Sequence, residues 1–152
     1  MSVAFRREGD DEHKEPEFEL PIPVGPNLVT ERGLAQLTAK LDAVSAAVAA
    51  ETDDAARKLL QREQRYWSTQ RATAQLAPPL APGIVGIGSR VTIRRTRAKQ
   101  RFTIVGHDEA EPAAHRVAFT APLARAVMGA EEGERVAFGD VADAIEILVV
   151  EP

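Results

Sequence analysis

Hydrophobic residues recur with a helical period over residues 30–76. The first stripe alternates spacings of three and four and consists of Leu34, Leu37, Leu41, Val44 and Val48. This is the spacing of the a and d positions of a coiled coil. Thr30 precedes the stripe at a position suited to an N-cap, and Glu31 suits the first turn of a helix. The pattern predicts an amphipathic helix that begins next to Thr30.

The register of this stripe breaks at residues 51–54, which read Glu-Thr-Asp-Asp. A second stripe starts in a new register and contains Ala56, Leu60, Trp67 and Ala74, with Leu59 and Leu76 at its edges. Thr52 or Asp53 can cap the second helix. Two amphipathic helices joined by a polar turn are expected to pair as an antiparallel hairpin. Each arm of ~20 residues would be ~30 Å long at 1.5 Å per residue.

The period changes from helical to alternating after the proline-rich stretch 77–83. Apolar and polar residues alternate in 90–95 and 101–106, which predicts a β-hairpin with a short polar turn. Further strands are predicted at 115–120, 134–138 and 144–150. Between them, residues 121–129 predict a short helix that has proline near its start and ends at Gly129. The C-terminal part is therefore expected to be a small antiparallel sheet with one helix packed on it.

These patterns divide the chain into four segments and predict an α+β fold. Residues 1–29 contain seven acidic residues and four prolines between Phe5 and Val29, without a sustained period, which favours a disordered or extended tail. Residues 30–76 form the predicted coiled-coil hairpin. Residues 77–87 are expected to be a linker, and residues 88–152 the C-terminal domain.

Composition excludes several classes of protein. The 152 residues are 44% hydrophobic and 28% charged, as in ordinary globular proteins. No cysteine is present, so disulfides, thiolate metal sites and cysteine nucleophiles are excluded. The charged N-terminus and the lack of a long apolar run predict a soluble, cytoplasmic protein. The net charge of -4 argues against a general nucleic-acid coat protein.

Catalytic and metal-binding motifs are sparse. The three histidines, His13, His107 and His115, lack the spacing of a zinc site. His107 beside Asp108 is more simply interpreted as a solvated loop residue. No residue pattern of the chain indicates an active site of its own.

Two charged clusters allow both a functional and a structural interpretation. Glu51, Asp53 and Asp54 at the predicted hairpin tip could bind Mg²⁺ or a basic partner, or could simply form a solvated turn. The basic cluster on the predicted β-hairpin could contact phosphate groups, or could be an exposed face that prevents edge pairing of the sheet. The cluster consists of Arg90, Arg94, Arg95, Arg97, Lys99 and Arg101.

Two C-terminal motifs resemble those of the GreA/GreB transcript-cleavage factors of bacteria. Residues 104–110 read IVGHDEA and residues 121–129 read APLARAVMG, similar to the family's IVGxDEA and SPxARAL(L/I)G. Residues 88–93 (GSRVTI) resemble the family's FGxxVTV strand, and residues 28–37 resemble its MTxEGLxKL helix start. The chain is identified by these motifs as a short coiled-coil variant of the family.

The resemblance implies an N-terminal coiled-coil hairpin and an FKBP-like C-terminal domain. It also implies that the partner is bacterial RNA polymerase, with the hairpin in the secondary channel and indirect contact with nascent RNA. The implied polymerase-binding residues are Asp108, Glu109, Ala121, Pro122, Leu123 and Arg125. The protein would be an accessory factor without an active site, because the polymerase itself would cleave the RNA.

The hairpin tip differs from the family pattern. The family's GDxxENxEY corresponds here to Ala50–Ala55, AETDDA, in which Glu51 and Asp54 match the two acids by charge. Each arm is also shorter by roughly ten residues, or ~15 Å of helix. The resemblance implies that Glu51 and Asp54 share a Mg²⁺ ion with the polymerase active site, with no tightly bound cofactor of the protein's own.

Three functions remain open from the sequence. The tip acids could support Mg²⁺-dependent cleavage of backtracked RNA. Alternatively, the short hairpin could occupy the channel without cleavage, as in Rnk-like or inhibitory relatives. The same hairpin and sheet could also form a protein-binding module unrelated to transcription.

Overall fold

The computed structural model describes residues 18–152. Helix α1 (Glu31–Ala50) and helix α2 (Asp54–Thr73) form the predicted antiparallel hairpin. The side chain of Thr30 accepts a hydrogen bond from the backbone N–H of Gly33 and caps α1. The side chain of Asp53 caps α2 in the same way by accepting from the N–H of Ala56. The turn of the hairpin, residues 51–53, thus lies within the register break predicted at 51–54.

The interface between α1 and α2 contains the predicted apolar stripe of α1. Leu37 and Val44 are buried, whereas Leu34, Leu41 and Val48 are half-buried. On α2 the predicted stripe is only half-buried, and Leu59 at its edge is 55% exposed. The buried residue of α2 is the polar Gln70, at 2% exposure.

Trp67 lies half-buried between the two arms of the hairpin. The ammonium group of Lys40 on α1 lies 4.4 Å from the centre of the indole ring, a cation–π contact. Tyr66 meets the same ring edge-on, with 4.9 Å between the ring centres. Polar contacts extend the pairing on both sides of Trp67, because Gln64 donates to Ser45 and Arg71 donates to Thr38.

A two-stranded parallel sheet closes the base of the hairpin. Strand β1 (Leu28–Val29) pairs with strand β2 (Gln75–Leu76). These strands lie within the segments predicted to be tail and helix, and sequence periodicity cannot reveal strands of two residues. The pairing brings the chain before α1 next to the chain after α2, so both ends of the hairpin are fixed at one place.

The C-terminal domain is built on a five-stranded sheet. Its strands are β3 (Arg90–Arg95), β4 (Ala98–Val105), β5 (Arg116–Ala118), β6 (Arg135–Phe138) and β7 (Val141–Glu151), in the spatial order β5-β4-β3-β7-β6. All neighbouring pairs are antiparallel except β4 and β5, which are parallel. The sheet is therefore mixed, whereas alternation alone had predicted a wholly antiparallel one. Two 3-10 turns, His107–Glu109 and Pro112–Ala114, return the chain so that β5 runs beside β4 in the same direction.

One helix covers the sheet, as predicted. Helix α3 (Pro122–Val127) has Pro122 in its first turn and buries Ala124 and Val127. The core cluster that these residues join consists of Val85, Val91, Ile93, Phe102, Ile104, Ala124, Val127, Ala130, Ile145 and Ile147. Val85, in the segment predicted to be a linker, is 2% exposed. The C-terminal core therefore includes chain that precedes residue 88.

The described part of the predicted tail lies along α2. We call Phe18–Asn27 the N-terminal arm. Asn27 donates to the backbone carbonyl of Gln70, and Glu19 forms a two-pronged contact with Arg65. The prediction of disorder for residues 1–17, which include His13, lies outside the described residues. Within 18–152, no helix combines the length and hydrophobicity that a membrane span requires.

Candidate functional site

The acids of the hairpin tip form the caps of both helices. Glu51 ends α1, and its Oε1 accepts hydrogen bonds from the backbone N–H groups of Thr52 and Asp53 at 3.1 and 3.0 Å. Asp53 caps α2 through Oδ2, 2.9 Å from the backbone nitrogen of Ala56. Glu51 satisfies two N–H groups of the turn, and Asp53 satisfies one that the start of α2 leaves open, so both carboxylates stabilise a tight turn.

Asp54 is highly exposed, with 92% of its side chain accessible. Arg57, one turn along α2, lies 3.3 Å from its Oδ1. The same guanidinium donates to the backbone carbonyl of Glu51 at 2.6 Å. A cation is thus already placed between the two residues predicted to share Mg²⁺. Among residues 18–152, no group of three or more His, Asp or Glu side chains is arranged to hold a metal ion.

Glu109 is buried at the junction between the hairpin and the C-terminal domain, with 4% exposure. Its carboxylate accepts hydrogen bonds from Thr30 Oγ1 at 2.6 Å, from the N–H of Gly106 at 3.0 Å and from the N–H of Thr30 at 3.3 Å. Arg32 adds an ion pair at 3.8 Å. Since Thr30 is also the N-cap of α1, Glu109 holds the start of the hairpin against the sheet domain.

Two glycines leave the space that this carboxylate fills. A Cβ atom at Gly33 would overlap the carboxylate of Glu109. A Cβ atom at Gly106 would lie 2.9 Å from the carbonyl oxygen of Leu28, closer than real Cβ contacts allow. The close approach of α1, β1 and the 3-10 turn therefore requires glycine at both positions.

Asp108 forms a second contact between the two parts of the molecule. Its Oδ1 accepts from the hydroxyl of Tyr66 and its Oδ2 from the amide of Gln70, both at 2.6 Å. Burial raises the pKa of Tyr66 well above its ordinary value, and the hydrogen bond to Asp108 raises it further. Tyr66 and Gln70 are one helical turn apart, so a single carboxylate binds one face of α2.

The predicted residues at the start of α3 lie on the surface of the C-terminal domain. Pro122 and Arg125 are exposed, whereas Ala121 and Leu123 are half-buried. Ala121 caps the helix in an extended conformation, with φ of -68°. The N-terminal arm lies nearby, because Pro23–Asn27 line a small crevice together with Phe119 and Thr120. Among the residues predicted to bind the polymerase, Pro122 and Arg125 are the exposed ones.

Part of the basic β-hairpin is paired within its own sheet. Arg94 contacts Glu146 at 3.3 Å and Arg101 contacts Glu151 at 2.7 Å. Arg95 lies over the ring of Phe138 at 4.8 Å. Arg90, Lys99 and Arg101 line an open cleft of about 790 Å³ next to the start of α1. The structure supports the interpretation of a charged, exposed face for most of the cluster and does not test phosphate binding.

The structure thus separates the predicted site residues into three places. The tip acids Glu51, Asp53 and Asp54 lie at one end of the hairpin. Asp108 and Glu109 lie at the junction at its other end, ~30 Å away. The residues Ala121–Arg125 form a third, surface group. Sequence reasoning did not identify the junction partners Thr30, Tyr66 and Gln70. A polar residue such as Gln70 at an inward-facing helical position is the signal that could have indicated them.

The C-terminal half of the chain matches a known protein family. Residues 80–152 match the family model described as "Transcription elongation factor, GreA/GreB, C-term". This range contains both motifs on which the predicted resemblance was based, so the resemblance is confirmed for this part of the chain. No curated protein sequence matches the chain.

Several solved structures are similar to the chain. GreA factor homolog 1 (Gfh1) of Thermus thermophilus is 13% identical, with a TM-score of 0.40, and the match covers 84% of this chain and 100% of that one. Gfh1 of Thermus aquaticus is 14% identical with a TM-score of 0.40, covering 84% and 99%. A GreA/GreB factor of Nitrosomonas europaea is 19% identical with a TM-score of 0.40, covering 81% and 97%. The similarity to the GreA/GreB family is therefore based on the match over residues 80–152.

Proposed function

We propose that this chain, whose residues 80–152 match the GreA/GreB C-terminal family model, is a transcription elongation regulator that binds bacterial RNA polymerase. The C-terminal domain anchors the protein at the rim of the secondary channel, and the hairpin points into the channel. The protein acts as an accessory factor. The observation that carries the proposal is the family match, which includes the whole five-stranded sheet and helix α3.

The anchoring contact is assigned to the start of α3. Pro122 and Arg125 are exposed there, whereas the carboxylates of Asp108 and Glu109 are occupied within the chain. Asp108 and Glu109 support the proposed complex indirectly, because they fix the direction of the hairpin relative to the anchoring domain. Rigid positioning lowers the entropic cost of inserting the hairpin into a channel.

Co-purification with bacterial RNA polymerase tests the anchoring contact. The variant Pro122→Glu places a charge on the proposed surface, yet an acidic residue is favourable in the first turn of α3, so the domain should fold. Val141→Glu is the control, because Val141 is also an exposed apolar residue, at 62%, but lies in β7. We expect Pro122→Glu alone to lose binding. Equal binding by both variants would refute the assignment.

The tip geometry favours occupation of the channel without RNA cleavage. Arg57 lies against Asp54 and the carbonyl of Glu51, where its charge opposes the approach of Mg²⁺. Cleavage stimulation is kept as a second candidate, because Asp54 is exposed and Glu51 uses only Oε1 in its backbone contacts. In that case the ion would be shared with the polymerase active site, and the polymerase would perform the hydrolysis.

A stalled-complex assay separates these two candidates. We expect saturating wild-type protein to leave backtracked RNA at its original length while it slows elongation. Shortening of the RNA by the wild type, abolished in the double variant Glu51→Ala/Asp54→Ala, would establish cleavage stimulation instead. The variant Arg57→Ala gives a further comparison, because any latent cleavage should increase when the competing cation is removed.

A further inference from the structure

The strand register places basic side chains together on one face of the C-terminal sheet. Successive residues of β3 alternate, so Val91 and Ile93 enter the core whereas Arg90, Thr92 and Arg94 face away from it. We call the side of the sheet opposite the core the outer face. The pairing of β3 with β4 and β7, and of these with β5 and β6, gives the basic residues of the outer face: Arg90, Arg94, Lys99, Arg101, Arg116 and Arg135.

Carboxylates neutralise part of the outer face. The ion pairs are those of Arg94 and Arg135 with Glu146, of Arg101 with Glu151, and of Arg116 with Glu111. Arg90 and Lys99 are exposed and take part in no ion pair within residues 18–152. Lys99 also lies directly across the ladder from Arg94, and like charges at such positions lower the stability of a sheet. The outer face therefore carries an excess of positive charge at a cost to stability.

Protection against edge pairing does not explain the arginines of β3. The spatial order β5-β4-β3-β7-β6 puts this strand at the centre of the sheet, where both of its edges are already paired. The net charge of -4 belongs to the whole chain, whereas the outer face is locally basic. An anionic ligand is the partner that such a local excess of charge favours.

The outer face continues into the cleft next to the start of α1. The cleft has a volume of about 790 Å³, and the arginine and lysine residues that line it are Arg32, Arg90, Lys99, Arg101 and Arg116. Thr103, which also lines the cleft, lies between Arg90 and Arg116 in the strand register. The carboxylate of Glu109 belongs to the lining as well, but it is buried and its hydrogen bonds are made within the chain. Sites of roughly 300–1,000 Å³ hold small ligands, so the cleft admits a single strand of nucleic acid but not a duplex.

We propose that the outer face and its cleft bind the phosphate backbone of single-stranded RNA. Guanidinium groups bind phosphate through two parallel hydrogen bonds, and most of the basic residues of the cleft are arginines. Side chains on one face of a strand repeat every ~7 Å, a spacing that the phosphates of an extended single strand can follow. Strands β3 and β4 place no aromatic side chain on the outer face, so bases are not stacked there and binding is independent of sequence.

The choice of RNA rests on the proposed function, in which the protein lies beside the transcript. The binding experiment contains no polymerase, so its failure is distinguishable from a failure of the anchoring contact. Fluorescence anisotropy of a labelled single-stranded RNA of about 12 nucleotides measures the affinity of the full-length protein. We expect a Kd of roughly 1–100 μM. If three phosphates are neutralised, the affinity should fall roughly 20-fold between about 50 and 200 mM salt, at a slope of ~0.7 per phosphate.

Two substitutions test the positions of the contacts. Arg90→Gln and Lys99→Gln should each weaken binding several-fold and reduce the salt slope by ~0.7. Lys58→Gln is the matched control, because Lys58 is an exposed lysine of α2 and lies outside the outer face. Lys99→Gln also removes a like-charge pair, so its Tm should equal or exceed that of the wild type while its RNA binding falls.

Four results would overturn the proposal. The first is an equal loss of binding in Lys58→Gln and Lys99→Gln, and the second is no loss in either Arg90→Gln or Lys99→Gln. The third is equal competition by polyglutamate of the same charge, which would assign the outer face to an acidic protein segment. The fourth is tighter binding of duplex RNA or of single-stranded DNA of the same length. Single-stranded DNA should instead bind no more tightly than RNA and with a similar salt slope, because the contacts are made to phosphate.

Discussion

The packing of Glu109 against Gly33 predicts that Gly33→Ala destabilises the protein, whereas helix propensity alone predicts that it stabilises it. In a helix, replacement of glycine by alanine stabilises by up to ~1 kcal/mol. At Gly33, however, the new methyl group would overlap the carboxylate of Glu109. To make room, the carboxylate must leave its hydrogen bonds with Thr30 and Gly106. We therefore expect Gly33→Ala to destabilise the protein.

The magnitude follows from the contacts that are lost. A hydrogen bond to a charged group contributes about 1.5–3 kcal/mol, and at least two such bonds are displaced, partly offset by the gain in propensity. The expected net loss is about 2–5 kcal/mol in the free energy of unfolding. At about 2–4 °C per kcal/mol for a chain of this size, that lowers the Tm by roughly 4–20 °C. Urea titration followed by circular dichroism measures the change.

A double-mutant cycle isolates the cause. In a Glu109→Ala background the obstructing carboxylate is absent, so Gly33→Ala should become neutral or stabilising by up to ~1 kcal/mol. The exposed Ala35 provides a matched control, since Ala35→Gly should show the ordinary propensity loss of ~1 kcal/mol in both backgrounds. A stabilising effect of Gly33→Ala in the native background would refute the close packing of the junction.

Three further predictions concern the contacts that hold α2. The chain has a single tyrosine, so the tyrosinate absorbance reports Tyr66 directly: its raised pKa should move back towards the ordinary value in Asp108→Asn. The raised pKa means that the folded protein favours the protonated phenol of Tyr66. The phenol's contribution to the free energy of unfolding is therefore present below its ordinary pKa and is lost as the pH rises through its raised pKa in the folded protein. A tyrosinate titration of the native protein at the ordinary pKa would contradict this. The hydrogen bond from Arg65 lowers the pKa of Glu19, so the arm contact should persist above the ordinary carboxyl pKa and be lost as the pH falls through the lowered value. NMR of the Glu19 carboxyl, with Glu19→Gln as the pH-insensitive control, measures this. Gln70→Leu removes one of the two donors to Asp108 and should destabilise by about 1–3 kcal/mol in urea titration, whereas no loss would show that the amide contributes little.

Local patterns predicted the regular elements well. The three-four spacing of leucine and valine predicted α1, and the change of register predicted the turn at residues 51–54, both confirmed by the structure. Alternation predicted β3 with its correct bounds, Arg90–Arg95. These signals are local, because burial on one face imposes a period on neighbouring residues.

The junction could not be predicted in the same way. Glu109 binds Thr30 across 79 residues of sequence, and no periodicity relates the two positions. The same holds for the β1–β2 pairing and for the parallel placement of β5 beside β4, which depend on how distant segments meet. Within the predicted site, the family resemblance assigned Asp108 and Glu109 to a polymerase-binding surface. It gave no indication that both carboxylates have hydrogen-bond partners within the chain.

The contacts at the base of the hairpin also limit the angle between the hairpin and the C-terminal domain. Helices of 20 residues project roughly 30 Å from the junction, so a rotation of about 10° there would displace the far end by roughly 5 Å. Glu109 binds Thr30 at the start of α1, whereas Asp108 binds Tyr66 of α2. The pairing of β1 with β2 forms a third contact at the base of the hairpin. Attachment at three separated points resists both tilt and twist. The position of the hairpin tip relative to the C-terminal domain is thereby determined by a few side chains about 30 Å away from it.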